Sequence, residues 1–412
     1  MVGTLSRITT LLLAAAVLLI GHGLQLTLLP LHALAAGWSS TAIGATGSLY
    51  FFGFVAGCIV LPNTVSTVGH IRSFMVMAAV ATVALLGAAL FVNVTAWLLF
   101  RFATGFALSG LYMVIESWLT DVSPNEQRGK VLSIYLVVTL ISMALGQLLV
   151  TAGSTVDLRL FVVAAILISI AIVPIGLTRV SSPHPIPPVR FTPRTLLRAS
   201  RVAVVCAILA GTVIGVFWTL GPIVAREFGL DAGGAGMLMS LGLLGGALSQ
   251  YPVGRFSDSI DRRVVIGTVA MIGALVSSVG ALFADVSQIA LFGSFFFLCA
   301  AAMPIYALCI AHAVDKSDLA LVEITSGILL AHSVGSIIGP IIVAPLMTRF
   351  GPKVFFIYCF GCLALAALWT FYRYFVVERT PPSEVRAAML PRTTQAVAEL
   401  VTTESGTSAS GH

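Results

Sequence analysis

Apolar stretches long enough to cross a bilayer recur along this chain with only short polar breaks between them, and no other feature constrains its fold as strongly. An α-helix rises about 1.5 Å per residue, so roughly 20 apolar residues span the hydrocarbon core. Such stretches fall near residues 8–29, 41–61, 73–92, 97–119, 130–152, 158–178, 202–224, 234–253, 264–284, 287–311, 324–347 and 354–376. Twelve crossings take up about 240 residues, in keeping with 412 residues of which 58% are hydrophobic and only 9% charged. Soluble domains carry about a quarter charged residues, so a water-soluble fold is excluded. The expected fold class is an all-α membrane protein of twelve transmembrane helices.

The first stretch follows Arg7 and is trailed by Ala33-Leu34-Ala35, which imitates a signal peptide with its cleavage site. Its apolar run exceeds the roughly 7–15 residues of a signal-peptide core, so a retained helix is expected. Lys and Arg accumulate on the cytoplasmic side of membrane proteins. With the N-terminus inside, 17 basic residues fall in inner segments and four outside, namely Arg159, Arg226, Arg349 and Lys353, while Arg101 falls within a span. The net charge of +6 therefore reads as membrane topology with both termini cytoplasmic. No nucleic-acid motif competes with that reading.

The longest internal break, residues 181–201, holds five Pro and four Arg without an acid, the composition of an extended cytoplasmic linker. It divides the chain into six-span halves, 1–180 and 202–377, followed by a polar tail, 378–412, expected to be disordered. A repeat supports the division. A shift of 192 residues carries Pro30 onto Pro222, Gly37 onto Gly229, Gly44 onto Gly236 and Gly53 onto Gly245.

The six cysteines, Cys58, Cys206, Cys299, Cys309, Cys359 and Cys362, lie in or at the end of apolar spans, as small packing residues would. Cys359 and Cys362 have a CxxC spacing but lack a second ligand pair, so no metal and no cofactor is expected. The chain has no GxxxxGK[ST] phosphate loop and no HExxH, so neither ATP-driven transport nor an intramembrane enzyme is expected.

The sharpest local pattern is Gly254-Arg255-Phe256-Ser257-Asp258-Ser259-Ile260-Asp261-Arg262-Arg263, between spans 8 and 9. An Asp near a helix start and a following Arg pair can lock neighbouring helix ends by charged hydrogen bonds; the same arginines can also be plain positive-inside anchors. With its Gly, its Asp four positions later and its closing basic pair, the segment resembles the signature loop of the major facilitator superfamily. The resemblance covers roughly residues 6–377. It implies two pseudo-symmetric six-helix bundles and assigns gating to Gly254, Arg255, Asp258, Arg262 and Arg263. The first-half counterpart departs from the pattern, with Pro62 in place of the Gly and Ser66 in place of the Asp, which implies a weaker latch there.

Arg101-Phe102-Ala103-Thr104-Gly105 resembles the fourth-helix motif that the family associates with proton coupling. Glu116-Ser117-Trp118-Leu119, Arg128-Gly129-Lys130 and Gly69-His70-Ile71-Arg72 are similar to the bacterial YcaD-like branch, which implies an inner-membrane location. Gly146-Gln147 lacks the Gly-Pro of many drug antiporters, whereas a GxxxGP at 335–340 falls in span 11, where it permits close helix packing.

Ionisable residues within spans are costly and therefore functional candidates. Arg101 stands about four residues, roughly 6 Å, from its span's outer end, so it either faces the transport path or snorkels outward. Glu116 and Glu323 lie near cytoplasmic ends, where contacts with Arg128, Lys130 or Lys316 are the alternative to a coupling role. His22 and His332 sit near mid-span, as proton relays or as hydrogen-bonded packing residues. The resemblance places spans 1, 4, 7 and 10 around a central cavity, where Gln25, Tyr112, Trp218, Thr219 and Tyr306 could meet a substrate or act as packing anchors.

The function expected is secondary transport of a small organic solute by alternating access, coupled to protons, by a monomer in the lipid bilayer. Efflux is the favoured direction. Uptake of a small organic anion or metabolite by proton symport is the alternative, and a non-transporting membrane sensor or assembly partner is the reading of another class.

Overall fold

The structure is a computed structural model that describes residues 2–124, 127–177, 200–317, 319 and 321–376, with the backbone alone at 2–7, 128–129 and 322. Among the described residues, twelve helices are long and apolar enough to cross a membrane. They are α1 (Val2–Ala35), α2 (Ser40–Val68), α3 (His70–Leu90), α4 (Val94–Val122), α5 (Arg128–Leu148) and α6 (Leu158–Ile170), then α7 (Arg201–Glu227), α8 (Ala232–Ser257), α9 (Arg262–Phe283), α10 (Gln288–Lys316), α11 (Leu321–Phe350) and α12 (Lys353–Val376). α6 continues after a break at Ala171 as a short helix, Ile172–Gly176, and the two together make the sixth span, Leu158–Gly176; Pro174 supplies no amide hydrogen for the ladder there. Most of the 181–201 linker and the whole 378–412 tail lie outside the described residues; Ser200 caps α7, accepting a hydrogen bond from the Ala203 amide at 3.1 Å.

Several helices run past their apolar cores because polar caps satisfy their first amides. Ser39, Asn93, Asp231 and Ser287 cap α2, α4, α8 and α10, and these four positions are themselves related by shifts of 192 and 194. Gly37 and Gly229, one repeat apart, take φ values of +79° and +86° in the turns after α1 and α7, a region that side chains with a Cβ rarely adopt.

Within each half, glycines bring helix backbones together as small residues do in membranes. Gly53 of α2 faces the Phe102 carbonyl of α4, and Gly105 of α4 faces the Tyr50 carbonyl of α2. Gly245 of α8 meets the Phe296 carbonyl of α10 in the same manner. Gly335 and Gly339 of α11 lie on the Ile208 and Thr212 carbonyls of α7, which gives the GxxxGP segment its packing role. Large apolar side chains such as Val83, Leu99, Ile166, Leu275, Ile289, Leu368 and Phe375 point away from the protein, as lipid-facing residues do.

The halves meet toward the end of the bundle where α1 finishes, the far end. Ser48 of α2 donates to the Ile337 carbonyl of α11 at 2.8 Å, and Ser240 of α8 donates to the Ala144 carbonyl of α5 at 2.9 Å. Gly44 approaches Pro340 and Ala344, and Gly236 approaches Gln147 and Val150. These two glycines are the repeat pair that the 192-residue shift superposes, so the seal is built twice from one sequence element. The near end, where α1 begins, carries the α2–α3 and α8–α9 loops.

Candidate functional site

Between the halves lies a cavity of about 180 Å³, lined from α1, α2, α4 and α5 on one side and from α7, α8, α10 and α11 on the other. The repeat is visible in its wall. Leu26 and Trp218, Phe51 and Leu243, Tyr112 and Tyr306, Thr139 and His332, and Met143 and Ser336 all line it, each pair separated by 192 to 194 residues. Four of the eight lining helices are the ones the family resemblance implied. The other four, α2, α5, α8 and α11, contribute more than half of the wall.

Charge breaks this symmetry. Arg101 of α4 is 8% exposed and lines the cavity, whereas its counterpart Phe295 is fully buried and stacked on Phe355 at 5.2 Å. The Arg101 guanidinium lies 4.5 Å from the centre of the Tyr50 ring, a cation–π contact that strengthens when water is excluded. The Tyr50 hydroxyl is 3.3 Å from Nε2 of His22 on α1, and the two rings stack at 5.9 Å. Counterparts of His22 and Tyr50 are Ile214 and Gly242, so the basic corner exists in the first half alone. No carboxylate is among the lining residues.

The helix carries Arg101 deeper than its apolar stretch indicated: α4 begins at Val94, seven residues before it and about 10 Å along the axis. The reciprocal Gly53 and Gly105 contacts, one turn away, let α2 approach closely enough to lay Tyr50 on it. Across the cavity, Tyr306 of α10 meets His332 of α11 edge to face at 5.2 Å.

Of the residues singled out in the sequence, His22, Arg101, Tyr112, Trp218, Thr219, Tyr306 and His332 come together on this wall. Gln25 and Glu116 do not. Both are 0% exposed and lie outside the lining, because their positions on α1 and α4 turn them into the helix packing. Glu323 is exposed in the first turn of α11. Tyr50, Thr139 and Gln250 were not singled out, yet they line the cavity; the repeat gives no signal for Tyr50, whose counterpart is Gly242.

The α8–α9 loop forms a second cluster at the near end. Arg262 donates from Nε to Asp315 at the end of α10 at 2.5 Å, and from Nη1 to Ser257 at 3.1 Å and to Asp258 at 3.4 Å. Asp261 caps α9 and accepts from Arg263 Nη2 at 2.8 Å. Burial raises the Asp261 carboxyl, but the Arg263 hydrogen bonds and charge outweigh it and hold the group below the usual carboxylate range. Arg263 also donates to the Arg373 carbonyl of α12 at 3.2 Å. Arg255 reaches the Tyr251 hydroxyl, at 3.3 Å, and among the described residues Gly254 has open space around its α-carbon. The cluster thus ties α8, α9, α10 and α12, with Asp315 as the closest acid to Arg262. In the first half, Ser66 bonds, among the described residues, to the Asn63 carbonyl of its own helix, at 2.8 Å, and His70, at the repeat position of Arg262, meets Ser117 at 3.1 Å.

The sequence profile of the Major Facilitator Superfamily matches residues 11–205 and again 203–404, one match per half. The chain is 29% identical over 360 residues to an uncharacterized MFS-type transporter, YcaD, of Escherichia coli O6:K15:H31 (strain 536 / UPEC), covering 86% of this chain and 92% of that protein. Its fold resembles that of the nucleoside transporter NupG, with a TM-score of 0.72 at 14% identity over 91% of this chain and 100% of the other. A bacterial homologue of the human lysosomal transporter Spinster, inward-facing and occupied, gives a TM-score of 0.72 at 14% identity over 91% and 98%. A D-xylose-proton symporter gives 0.65 at 16% identity over 88% and 97%.

Proposed function

Because this chain belongs to the Major Facilitator Superfamily, we propose that it moves a small organic solute across the bacterial inner membrane by alternating access, coupled to protons. The observation that carries the reading is the central cavity itself: both halves line it in repeat-related pairs, and the halves are fastened to each other on one side of it. Rocking of two such halves about a midplane site exposes that site to each face in turn.

His22 and His332 are the imidazoles on the cavity wall, and imidazole is the side chain that exchanges a proton near neutral pH. The near end, with the α8–α9 cluster and both termini, is the cytoplasmic one, which makes the arrangement with a sealed far end inward-facing. The domain plan is a bundle within 1–180, a linker at 181–201, a bundle within 202–377 and a cytoplasmic tail at 378–412, and the working unit is a monomer.

Purified full-length protein in proteoliposomes with a pH-sensitive dye inside tests the coupling. Addition of a transported solute outside is expected to change lumenal pH, with acidification for symport and alkalinisation for antiport. Export by antiport is the direction expected from the sequence, and import by symport is its rival. Solute flux that moves no protons overturns the coupling, and absence of flux for every solute that binds overturns transport.

A further inference from the structure

The central cavity has one formal charge on its wall and nothing there to balance it. Arg101 lines the cavity at 8% exposure, and its Nη1 has no hydrogen-bond partner among the described residues. A buried cation without an anion is costly, and an arginine answered by a carboxylate is among the stronger charged pairs. Tyr50 occupies one face of the guanidinium. A ring on the face leaves the N–H groups in the plane, so an acceptor has to arrive at the edge. Beside it stands His22, which also lines the cavity and whose Nε2 is committed to Tyr50.

The rest of the wall is of another kind. Phe51, Phe54, Leu243 and Met303 are apolar, and Trp218 and Tyr306 present rings from the second half. A volume of about 180 Å³ holds a ligand of roughly a dozen non-hydrogen atoms, if each water-sized unit takes about 10–15 Å³. A dianion would leave one charge in this apolar wall unanswered, and a cation would meet Arg101 with like charge.

We propose that the substrate is a small organic monoanion, its acid group held at the edge of Arg101 beside His22 and its apolar body lying across the cavity against Trp218 and Tyr306. This rests on the reading of the cavity as a transport site and names the chemical class of what it takes.

Three probes that share one apolar body and differ in the charge of the head group test it on the purified full-length protein: 4-ethylbenzoate, 4-ethylbenzyl alcohol and 4-ethylbenzylammonium. A ligand that binds only the folded state raises its thermal midpoint. At millimolar concentration the carboxylate is expected to raise it by about 3 °C and the alcohol and the ammonium to leave it unchanged. Arg101→Gln is expected to abolish the rise and Arg101→Lys to retain part of it. Should Arg101→Gln fail to fold, the ranking of the three probes on the wild type, read also as quenching of Trp218 fluorescence against a Trp218→Phe control, decides alone. No rise with the carboxylate, an equal or larger rise with the alcohol or the ammonium, or a rise that persists in Arg101→Gln overturns the proposal. Radiolabelled 4-ethylbenzoate in proteoliposomes separates the two claims. Binding that depends on Arg101 without flux leaves the anion site standing and sinks transport, whereas flux of the alcohol or the ammonium but not the carboxylate does the reverse.

Discussion

Arg101 and Tyr50 form a charged stack between α4 and α2, with the guanidinium 4.5 Å from the ring centre and both side chains more than nine-tenths buried. Neither residue gains this contact from its own helix. It exists because Gly53 and Gly105 remove the side chains that would hold the two backbones apart.

Substitutions at Tyr50 should separate the ring from the hydroxyl. Tyr50→Phe keeps the stack and loses the bond to His22, so its thermal stability should stay within about 1 kcal/mol of wild type, while proton-coupled flux falls. Tyr50→Leu removes the cation–π contact as well and should lose about 1–2 kcal/mol more. Equal flux in Tyr50→Phe and wild type would show that the hydroxyl takes no part in coupling.

Gly105→Val is expected to lower expression and the thermal midpoint, because the new side chain would be forced into the Tyr50 carbonyl. Overpacking of this kind costs about 1–3 kcal/mol, more where only backbone can yield. Gly254→Val is the control, since nothing stands near that α-carbon. Similar losses in both would mean that the α2–α4 approach is not what the glycine protects.

Asp315→Asn should disturb the near-end latch more than Asp258→Ala. Asp315 is 9% exposed and bonded to Arg262 at 2.5 Å, whereas Asp258 is 32% exposed at 3.4 Å. Removing one member of a buried pair costs about 3–5 kcal/mol, while a partner open to water contributes about 0–1 kcal/mol. The thermal midpoint and solute flux of the two variants at matched expression decide; a larger loss at Asp258→Ala would place the latch on the α8–α9 loop alone.

Asp261 provides a pH test. Its folded pKa is depressed, so the stability it contributes is present above the unfolded value of about 3.9 and is lost as pH falls through the folded value. The midpoint of wild type minus that of Asp261→Asn should therefore be level above about pH 5 and shrink below about pH 4. A difference that widens in acid would contradict the assignment.

Topology is open to labelling in intact cells, in a background without native cysteines. Ser154→Cys, exposed at the far end, should react with an impermeant maleimide, and Ser259→Cys, exposed in the α8–α9 loop, should not. The opposite pattern would invert the protein in the membrane.

Length and apolarity of the spans fixed the number of helices, since a bilayer accepts no other use for twelve such stretches. The repeat also lay in the primary sequence, and its three glycine pairs have structural causes: Gly37 and Gly229 take positive φ, Gly44 and Gly236 seal the far end, and Gly53 and Gly245 set helix approach. Helix rotation was not legible. A helix apolar on every side carries no moment that says which face meets protein and which meets lipid. Gln25 therefore read as a cavity residue and Glu116 as a coupling candidate near a helix end, whereas both are buried outside the cavity lining, and Tyr50 drew no notice and lies on Arg101. Asp315 could not be assigned to Arg262 because 53 residues separate them in the chain. Only the crossing of α9 and α10 brings the two charges together, out of reach of water.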